Sequence, residues 1–176
     1  IVTVEDTTAP DFVEDLPADM TRECDDVPVA EVLTAFDKCG NANVTFAEAR
    51  VDGDCVGNYT LLRTWTAVDE CGNERTYTQT ITVQDTTPPV FTTFVPSLVG
   101  VSSNGLPQDM TVECNDVPEA DVLSATDNCG DATVVFAEVV NPTDCESVYT
   151  ITRTWTATDE CDNAISHVQV ITVQDT

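Results

Sequence analysis

The sequence predicts an all-β protein made of two tandem sandwich domains held by disulfides. Three observations support this prediction: a repeat that runs through the chain, strands that alternate in polarity, and eight cysteines divided equally between the repeats. Clusters of Asp, Gly, Asn and Pro separate the predicted strands at short intervals. That rhythm favours a small sandwich of the immunoglobulin or fibronectin type.

The repeat is clearest around the first cysteine of each copy. Leu16–Cys24 reappears as Leu106–Cys114, and from there the two copies run without a gap to Thr86 and Thr176. Self-similarity at a fixed spacing is the signature of a repeat architecture, in which each copy is one structural unit.

The junction before each copy recurs as well. Val4–Pro10 matches Val83–Pro89, but at a shorter spacing than the domain bodies, so the second copy must carry an insertion near 92–102. We therefore predict a first domain over 1–86 and a second over 87–176, with the insertion forming a surface loop. We expect this pair to belong to a longer array.

The predicted strands follow from side-chain alternation. Tyr149–Ala157 places Tyr, Ile, Trp and Ala on one face and Thr on the other, and Tyr59–Ala67 repeats the pattern. A period of two residues is that of a half-buried strand. Further β-rich runs are predicted at 44–49, 78–83, 134–139 and 168–173.

The charge balance excludes several classes of partner and function. Thirty-two acidic residues face six Lys and Arg, which gives a net charge of −26. Such a chain repels phosphate backbones, so we expect no nucleic-acid binding, and no apolar run is long enough for membrane insertion. No Ser-His-Asp set, Gly-rich phosphate loop or HExxH motif is present, so we predict that the protein is not an enzyme.

The cysteines predict two disulfides in each copy. Zinc is the weaker interpretation, because the chain contains no CxxC and its one histidine is not repeated. Strand counting places the first and third cysteine of each copy at one end of the sandwich, and the second and fourth at the other. The favoured pairs are Cys24–Cys55, Cys39–Cys71, Cys114–Cys145 and Cys129–Cys161. Sequential pairing, such as Cys24–Cys39 and Cys55–Cys71, stays open because sequence does not fix connectivity.

Acidic residues in the loops form a candidate calcium site in each copy. Strand counting brings the junction acid to the end of the sandwich where two acidic loops lie, and several carboxylates together suit Ca²⁺. The alternative is that these acids form turns by accepting hydrogen bonds from loop amides. The candidate ligands are Asp6, Asp37, Asp69 and Glu70 in the first copy, and Asp85, Asp127, Asp159 and Glu160 in the second.

Each repeat has an arginine that the alternation places beside its tryptophan. Arg63 lies on the same predicted face as Trp65, and Arg153 repeats it beside Trp155. A buried arginine needs an acidic partner. We predict structural ion pairs between Arg63 and Glu48 and between Arg153 and Glu138, in preference to a ligand-binding role.

Three motifs carry a family resemblance. Ala125–Gly130, Arg153–Cys161 and Gln84–Pro89 together resemble the hyalin-type, HYR-like repeats of Bacteroidetes cell-surface proteins, which include giant gliding-motility adhesins. The resemblance implies an immunoglobulin-like fold, export to the cell surface and a role in adhesion or as a stalk. The Asp-Thr-Thr triplets are similar to an O-glycosylation pattern of that phylum, which makes Thr7 and Thr86 candidate acceptors. The favoured alternative is a stiff junction in which Thr and Pro only limit flexibility.

The favoured function is a stalk or spacer repeat of an extracellular adhesin whose array is attached to the outer membrane. Its expected partners are neighbouring repeats of the same chain, and we expect the chain to be monomeric. The alternative is a module that itself binds polysaccharide or a protein ligand. An exposed aromatic patch would favour the alternative, whereas the aromatic residues here fall mostly at inward positions.

Overall fold

The computed structural model describes residues 1–92, 105–144 and 146–175. All regular secondary structure within these residues is β-strand. The chain divides into two units, Ile1–Asp85 and Thr86–Thr176. The all-β prediction is confirmed. The predicted insertion near 92–102 lies, apart from Thr92, outside the described residues.

The first unit consists of a four-stranded sheet and a two-stranded sheet. Its three longest strands form an antiparallel meander, the short second strand pairs in parallel with the last, and the first strand pairs with the third. The strands are β1 (Asp11–Phe12), β2 (Met20–Glu23), β3 (Ala35–Phe36), β4 (Ala42–Asp52), β5 (Tyr59–Asp69) and β6 (Glu74–Gln84). The order of the larger sheet is β2-β6-β5-β4.

The second unit repeats this arrangement. The strands are β7 (Val90–Thr92), β8 (Met110–Glu113), β9 (Ser124–Thr126), β10 (Ala132–Pro142), β11 (Tyr149–Asp159) and β12 (Ala164–Gln174). The four-stranded sheet has the order β10-β11-β12-β8, and β7 pairs with β9. Within the described residues, no helix is long and apolar enough to cross a membrane.

The alternation read from the sequence sets which face of each large sheet is buried. In β5, Leu61, Arg63, Trp65 and Ala67 are buried, while the threonines between them stay half-exposed. The same alternation holds in β11. Because side chains of one strand point alternately to opposite faces, this pattern gives each sheet an inner face and an open one.

A small hydrophobic core lies on the inner face of each unit. In the first it is built on Leu61, Ile81 and Val83, and in the second on Ile151, Ile171 and Val173; Met20 and Tyr59 pack against the first cluster, and Met110 and Tyr149 against the second. The tryptophans, 1% exposed, extend this core. Because so small a core contributes little stability, the fold also depends on disulfides and buried hydrogen bonds.

Segments without regular structure cover much of the inner face. Their carbonyls accept hydrogen bonds from side chains of the sheet, which satisfies buried polar groups on both sides. In the first unit Arg63 donates to Pro28 O, Trp65 to Glu31 O, Tyr77 to Pro17 O and Gln79 to Ala18 O. In the second, Arg153 donates to Pro118 O, Trp155 to Asp121 O, His167 to Pro107 O and Gln169 to Gln108 O.

Candidate functional site

The junction acid of the first unit lies beside an acidic loop. A carboxylate oxygen of Asp6, one of Asp37 and the Sγ of Cys39 all lie within 4.8 Å of one another. Asp37 is only 5% exposed, whereas Asp6 is half-buried. The sequence indicates this same meeting of junction and loop. Carboxylate oxygens brought together in this way are the ligand type that Ca²⁺ prefers.

Loop amides also engage these acids. The amide of Cys39 donates to Asp37 Oδ1 at 2.7 Å, and Asp69 Oδ1 accepts from the amides of Cys71 and Asn73 at 2.9 and 2.8 Å. Burial would raise the pKa of Asp69, but the hydrogen bonds from the side chain and amide of Asn73 and from the amide of Cys71 outweigh it and lower that pKa. Asp69 therefore acts as a turn former in this loop.

Asn73 ties the β5–β6 loop to the junction, a role that our sequence analysis missed. Its Nδ2 donates to Asp69 Oδ2 at 2.7 Å and to the carbonyl of Asp6 at 3.1 Å. In the second unit, Asn163 repeats the contact with Asp159 at 2.9 Å. The signal was available, because Asp-x-x-x-Asn recurs at the same place in both copies.

In the second unit one acidic side chain has an unsatisfied oxygen. Asp127 Oδ2 accepts from the amide of Cys129 at 2.7 Å, but Asp127 Oδ1 is buried and has no hydrogen-bond partner among the described residues. A carboxylate oxygen of Asp159 lies within 4.8 Å of one of Asp127. A buried acceptor without a donor costs free energy, which a bound cation would recover.

The remaining candidate ligands each make a contact with a residue of their own unit. Glu70 Oε1 accepts a hydrogen bond from Asn41 Nδ2 at 3.0 Å. The Glu160 carboxylate lies beside Gly130, where an added Cβ would be 3.4 Å from its Oε2. Asp85 is 6% exposed, and its amide donates to Asn58 Oδ1 at 2.9 Å. None of these three contacts is itself a metal-binding arrangement.

The cysteines differ in part from the prediction. Cys24, Cys55, Cys129 and Cys161 are disulfide-bonded, whereas Cys39, Cys71 and Cys114 are free thiols. The predicted Cys39–Cys71 bond is therefore absent, as is the sequential Cys24–Cys39 alternative. Cys114 is one of the free thiols, and its predicted partner, Cys145, lies outside the described residues.

The surroundings of the Cys39 and Cys71 thiols disfavour their thiolate forms. The negative charge of Asp6, together with burial and the charge of Asp37, raises the pKa of Cys39. Burial, then the charges of Asp6, Asp69 and Glu70, raise the pKa of Cys71. Disulfide formation requires a thiolate, so these surroundings slow it. The fold does not forbid the bond, because the equivalent cysteines of the second unit are bonded.

We expect Asp6→Asn to accelerate alkylation of Cys39 by iodoacetamide about 3–10-fold at neutral pH, because each unit of lowered thiol pKa increases the thiolate fraction about tenfold. Quantitative mass spectrometry of the alkylated peptides measures this rate. Cys114 is the internal control, and its rate should not change. An unchanged rate at Cys39 would show that Asp6 does not influence the thiol.

The arginines at equivalent positions of the two repeats, Arg63 and Arg153, are structural. Arg63 Nε donates to Glu48 Oε2 at 2.7 Å, and Arg153 Nε donates to Glu138 Oε2 at 2.8 Å. These are the partners that the sequence indicates. The arginine side chains are only 6% and 5% exposed, while both glutamates are more than one-third exposed. Each guanidinium is thus engaged within its unit instead of being presented to a ligand.

The fold defines a protein of two tandem all-β units, each built from a four-stranded and a two-stranded sheet. Residues 12–83 and 103–173 each match the family model described as an HYR-like domain with 4 cysteines. The two matches together cover most of the chain, which therefore belongs to this family.

Solved structures of cadherins are also similar to the chain. Drosophila N-cadherin EC1-4 matches at 12% identity with a TM-score of 0.37, over 96% of this chain and 50% of that one. Human mucin-like protocadherin EC1-2 matches at 11% identity and a TM-score of 0.32, over 95% and 98%. This chain thus spans about half the length of the N-cadherin fragment. No curated protein matches the chain in sequence, and our fold assignment rests on the strands and the family match.

Proposed function

We propose that this chain is a stalk or spacer segment of a large extracellular bacterial surface adhesin, where it supplies reach and stiffness. Tandem units of one family, each with its own sheet and core, support this role, because every added unit lengthens the array. The disulfides fit an oxidising compartment outside the cytosol. The array would be anchored at the outer membrane, as in the Bacteroidetes adhesins that the sequence resembles.

The placement of the aromatic side chains favours a spacer over a ligand-binding module. Trp65 and Trp155 are each 1% exposed; the rings of Phe46 and Phe136 lie tilted against them at 5.2 Å between centroids and are 47% and 43% exposed. Sugar-binding and peptide-binding sites need accessible aromatic surface. The alternative function, a module that binds polysaccharide or a protein ligand, could not use the tryptophans and would have to use the exposed phenylalanines or another surface.

We further propose that Ca²⁺ binds at the acidic end of each unit and stiffens the array. The observation that carries this proposal is the meeting of the junction residue Asp6 with the loop residue Asp37. A cation held by both would fix the junction to the body of the unit. It would also relieve the repulsion between two carboxylates at neutral pH.

The second unit offers a comparable pair of ligands. Asp127 and Asp159 approach each other within 4.8 Å, and the unpartnered Oδ1 of Asp127 would gain a ligand bond. Asp85 is the counterpart of Asp6 in the repeat, and we propose the same role for it. Affinity should be modest, on the order of 10⁻⁴–10⁻³ M, as in other extracellular modules that meet abundant calcium.

The test is calorimetry and small-angle scattering with and without millimolar CaCl₂. We expect binding heat and a changed maximum dimension for the wild type, and loss of both in Asp127→Ala/Asp159→Ala. Asp116→Ala/Asp144→Ala is the matched control, because it removes two exposed acids of the same unit and the same charge. If the wild type shows neither heat nor a change in dimension, the loop acids are only turn formers.

The exposed junction threonines suit a surface modification. Thr7 and Thr86 are both exposed, and each follows an aspartate at the start of a junction. We propose O-glycosylation at these two positions in the native host. A glycan there would project into solvent and would limit the torsional freedom of the junction.

A further inference from the structure

The open face of each large sheet differs in chemistry from the rest of the chain. We name it the outer face, meaning the side of the sheet opposite the buried tryptophan. In the first unit it consists of the odd-numbered positions of 43–51 in β4 and the even-numbered positions of 60–68 in β5 and 74–82 in β6. Every one of these residues is exposed or half-exposed, so no described segment covers the face.

The second unit has an equivalent outer face. It consists of the odd-numbered positions of 133–141 in β10 and the even-numbered positions of 150–158 in β11 and 164–172 in β12. These side chains are also exposed or half-exposed. Thr or Ser occupies more than half of the positions in each unit, and most others are Val or Ala.

Charge is nearly absent from this face. On the three long strands it carries no Asp, Glu, Lys or Arg in the second unit and only Glu74, at the margin, in the first; the short parallel edge strand adds Glu113 in the second unit and Glu23 in the first. In the whole chain, by contrast, 22% of residues are charged and the net charge is −26. The acidic surfaces of the chain would repel a second copy, whereas the outer face carries too few charges to do so.

The shape of the face also suits a second copy. Its side chains are short and β-branched, so two such faces can approach to about 10 Å, the usual spacing of packed sheets. Its hydroxyls already pair with one another: Thr64 Oγ1 lies 3.4 Å from Thr78 Oγ1, and Thr156 Oγ1 lies 3.0 Å from Ser166 Oγ. A hydroxyl both donates and accepts, so a face rich in threonine is complementary to itself.

We propose that the outer face is an interface through which two copies of this chain pack side by side, sheet against sheet. This goes beyond the spacer role proposed above, because it lets neighbouring stalks join into bundles.

The area of the face predicts how strong this contact is. Three strands about 4.8 Å apart, each about 33 Å long, give roughly 450 Å² per unit, and so about 900 Å² in total where one unit faces one unit of another copy. That is below the 1,200 Å² or more of stable interfaces, so a single pair of units associates weakly. Arrays of many units gain from multivalency and associate far more strongly.

The net charge predicts the salt dependence. Two chains of charge −26 repel each other at long range, and 1 M NaCl shortens the screening length to about 3 Å. Association through a nearly uncharged face therefore strengthens with salt. Association through ion pairs would show the opposite trend.

Sedimentation equilibrium of the two-unit chain tests this proposal. EDTA in every buffer removes any bridging by calcium, which separates this test from the calcium proposal. We expect a 19.0 kDa monomer in 50 mM NaCl and a weight-average mass that rises toward the dimer in 1 M NaCl at high protein concentration.

Two adjacent valines of one edge strand provide a matched pair of variants. Val139 lies on the outer face opposite Thr152 and is 56% exposed, whereas Val140 lies on the inner side opposite Ile151 and is 53% exposed. Val139→Glu should weaken association at least tenfold, and Val140→Glu, which adds the same charge, should leave it unchanged. Circular dichroism verifies that both variants fold.

Two results would overturn the proposal. A wild type that stays monomeric in 1 M NaCl at millimolar concentration has no such interface. Equal weakening by Val139→Glu and Val140→Glu would show that the copies associate through a different surface.

Discussion

Arg153→Met is expected to lower the free energy of unfolding of the second unit by about 2–4 kcal/mol. The guanidinium is almost fully buried, and it donates to the Glu138 carboxylate and to the carbonyls of Pro118 and Glu119. Methionine fills a similar volume but leaves the two carbonyls without a donor. Because Glu138 is partly exposed and can be hydrated, the loss should stay below that of a fully buried ion pair.

The first unit supplies both a repetition and a control for this experiment. Arg63→Met should cause a similar loss, since Arg63 makes the same contacts with Glu48 and with Pro28 O. Arg75→Met removes the exposed pair with Asp11 and should cost less than about 1 kcal/mol. Urea unfolding followed by circular dichroism measures all three. Equal effects of Arg63→Met and Arg75→Met would show that burial of the guanidinium contributes little.

The sheet could be predicted because its strands follow a strict period. Alternation located Tyr59–Ala67 and Tyr149–Ala157 and assigned Arg and Trp to the inner face, and the observed strands contain both ranges. Strand ends were less well predicted: β4 runs from Ala42 to Asp52, beyond the predicted 44–49. Exposed edge positions tolerate many residue types, so the sequence pattern fades there before the backbone pairing ends.

The irregular segments that cover the inner face could not be predicted. They have no period, since their role is to present carbonyls to Arg, Trp, Gln and Tyr or His side chains of the sheet. Tyr77 donates to Pro17 O at 2.6 Å in the first unit, and His167 donates to the equivalent Pro107 O at 2.7 Å in the second. Two side chains with different chemistry thus make one contact, which sequence comparison of the repeats does not reveal.

The acidic site was predictable in position and less so in detail. Strand counting brought the junction to the acidic loops, and Asp6 and Asp37 do meet. Counting cannot tell how a carboxylate divides its oxygens between loop amides and a metal, and Asp69 is largely engaged by Asn73. Nor does spacing reveal that the negative charge of Asp6, together with burial, raises the pKa of the Cys39 thiol.

The largest expected loss of stability is that of Trp155→Ala, about 3–5 kcal/mol. Trp155 is 1% exposed, its ring contacts those of Phe136 and His167, and its Nε1 donates to Asp121 O at 2.9 Å. Alanine leaves a cavity beneath the covering segment and removes the hydrogen bond that fixes this segment to the sheet. The second unit should then unfold well below the wild-type temperature.

Phe136→Ala is the matched control, because the Phe136 ring lies tilted against the same indole but is 43% exposed, and its removal should cost only about 1–2 kcal/mol. The chain has two tryptophans, so Trp65 becomes the single fluorescent reporter of the first unit in Trp155→Ala. Scanning calorimetry measures both transitions, and fluorescence follows the first unit alone. Because each unit has its own core, we expect the Trp65 transition to stay at its wild-type temperature while the other moves down. A joint shift of the two transitions would mean that the units unfold as one cooperative body. The hypothesis that each unit of the array folds independently would then be wrong.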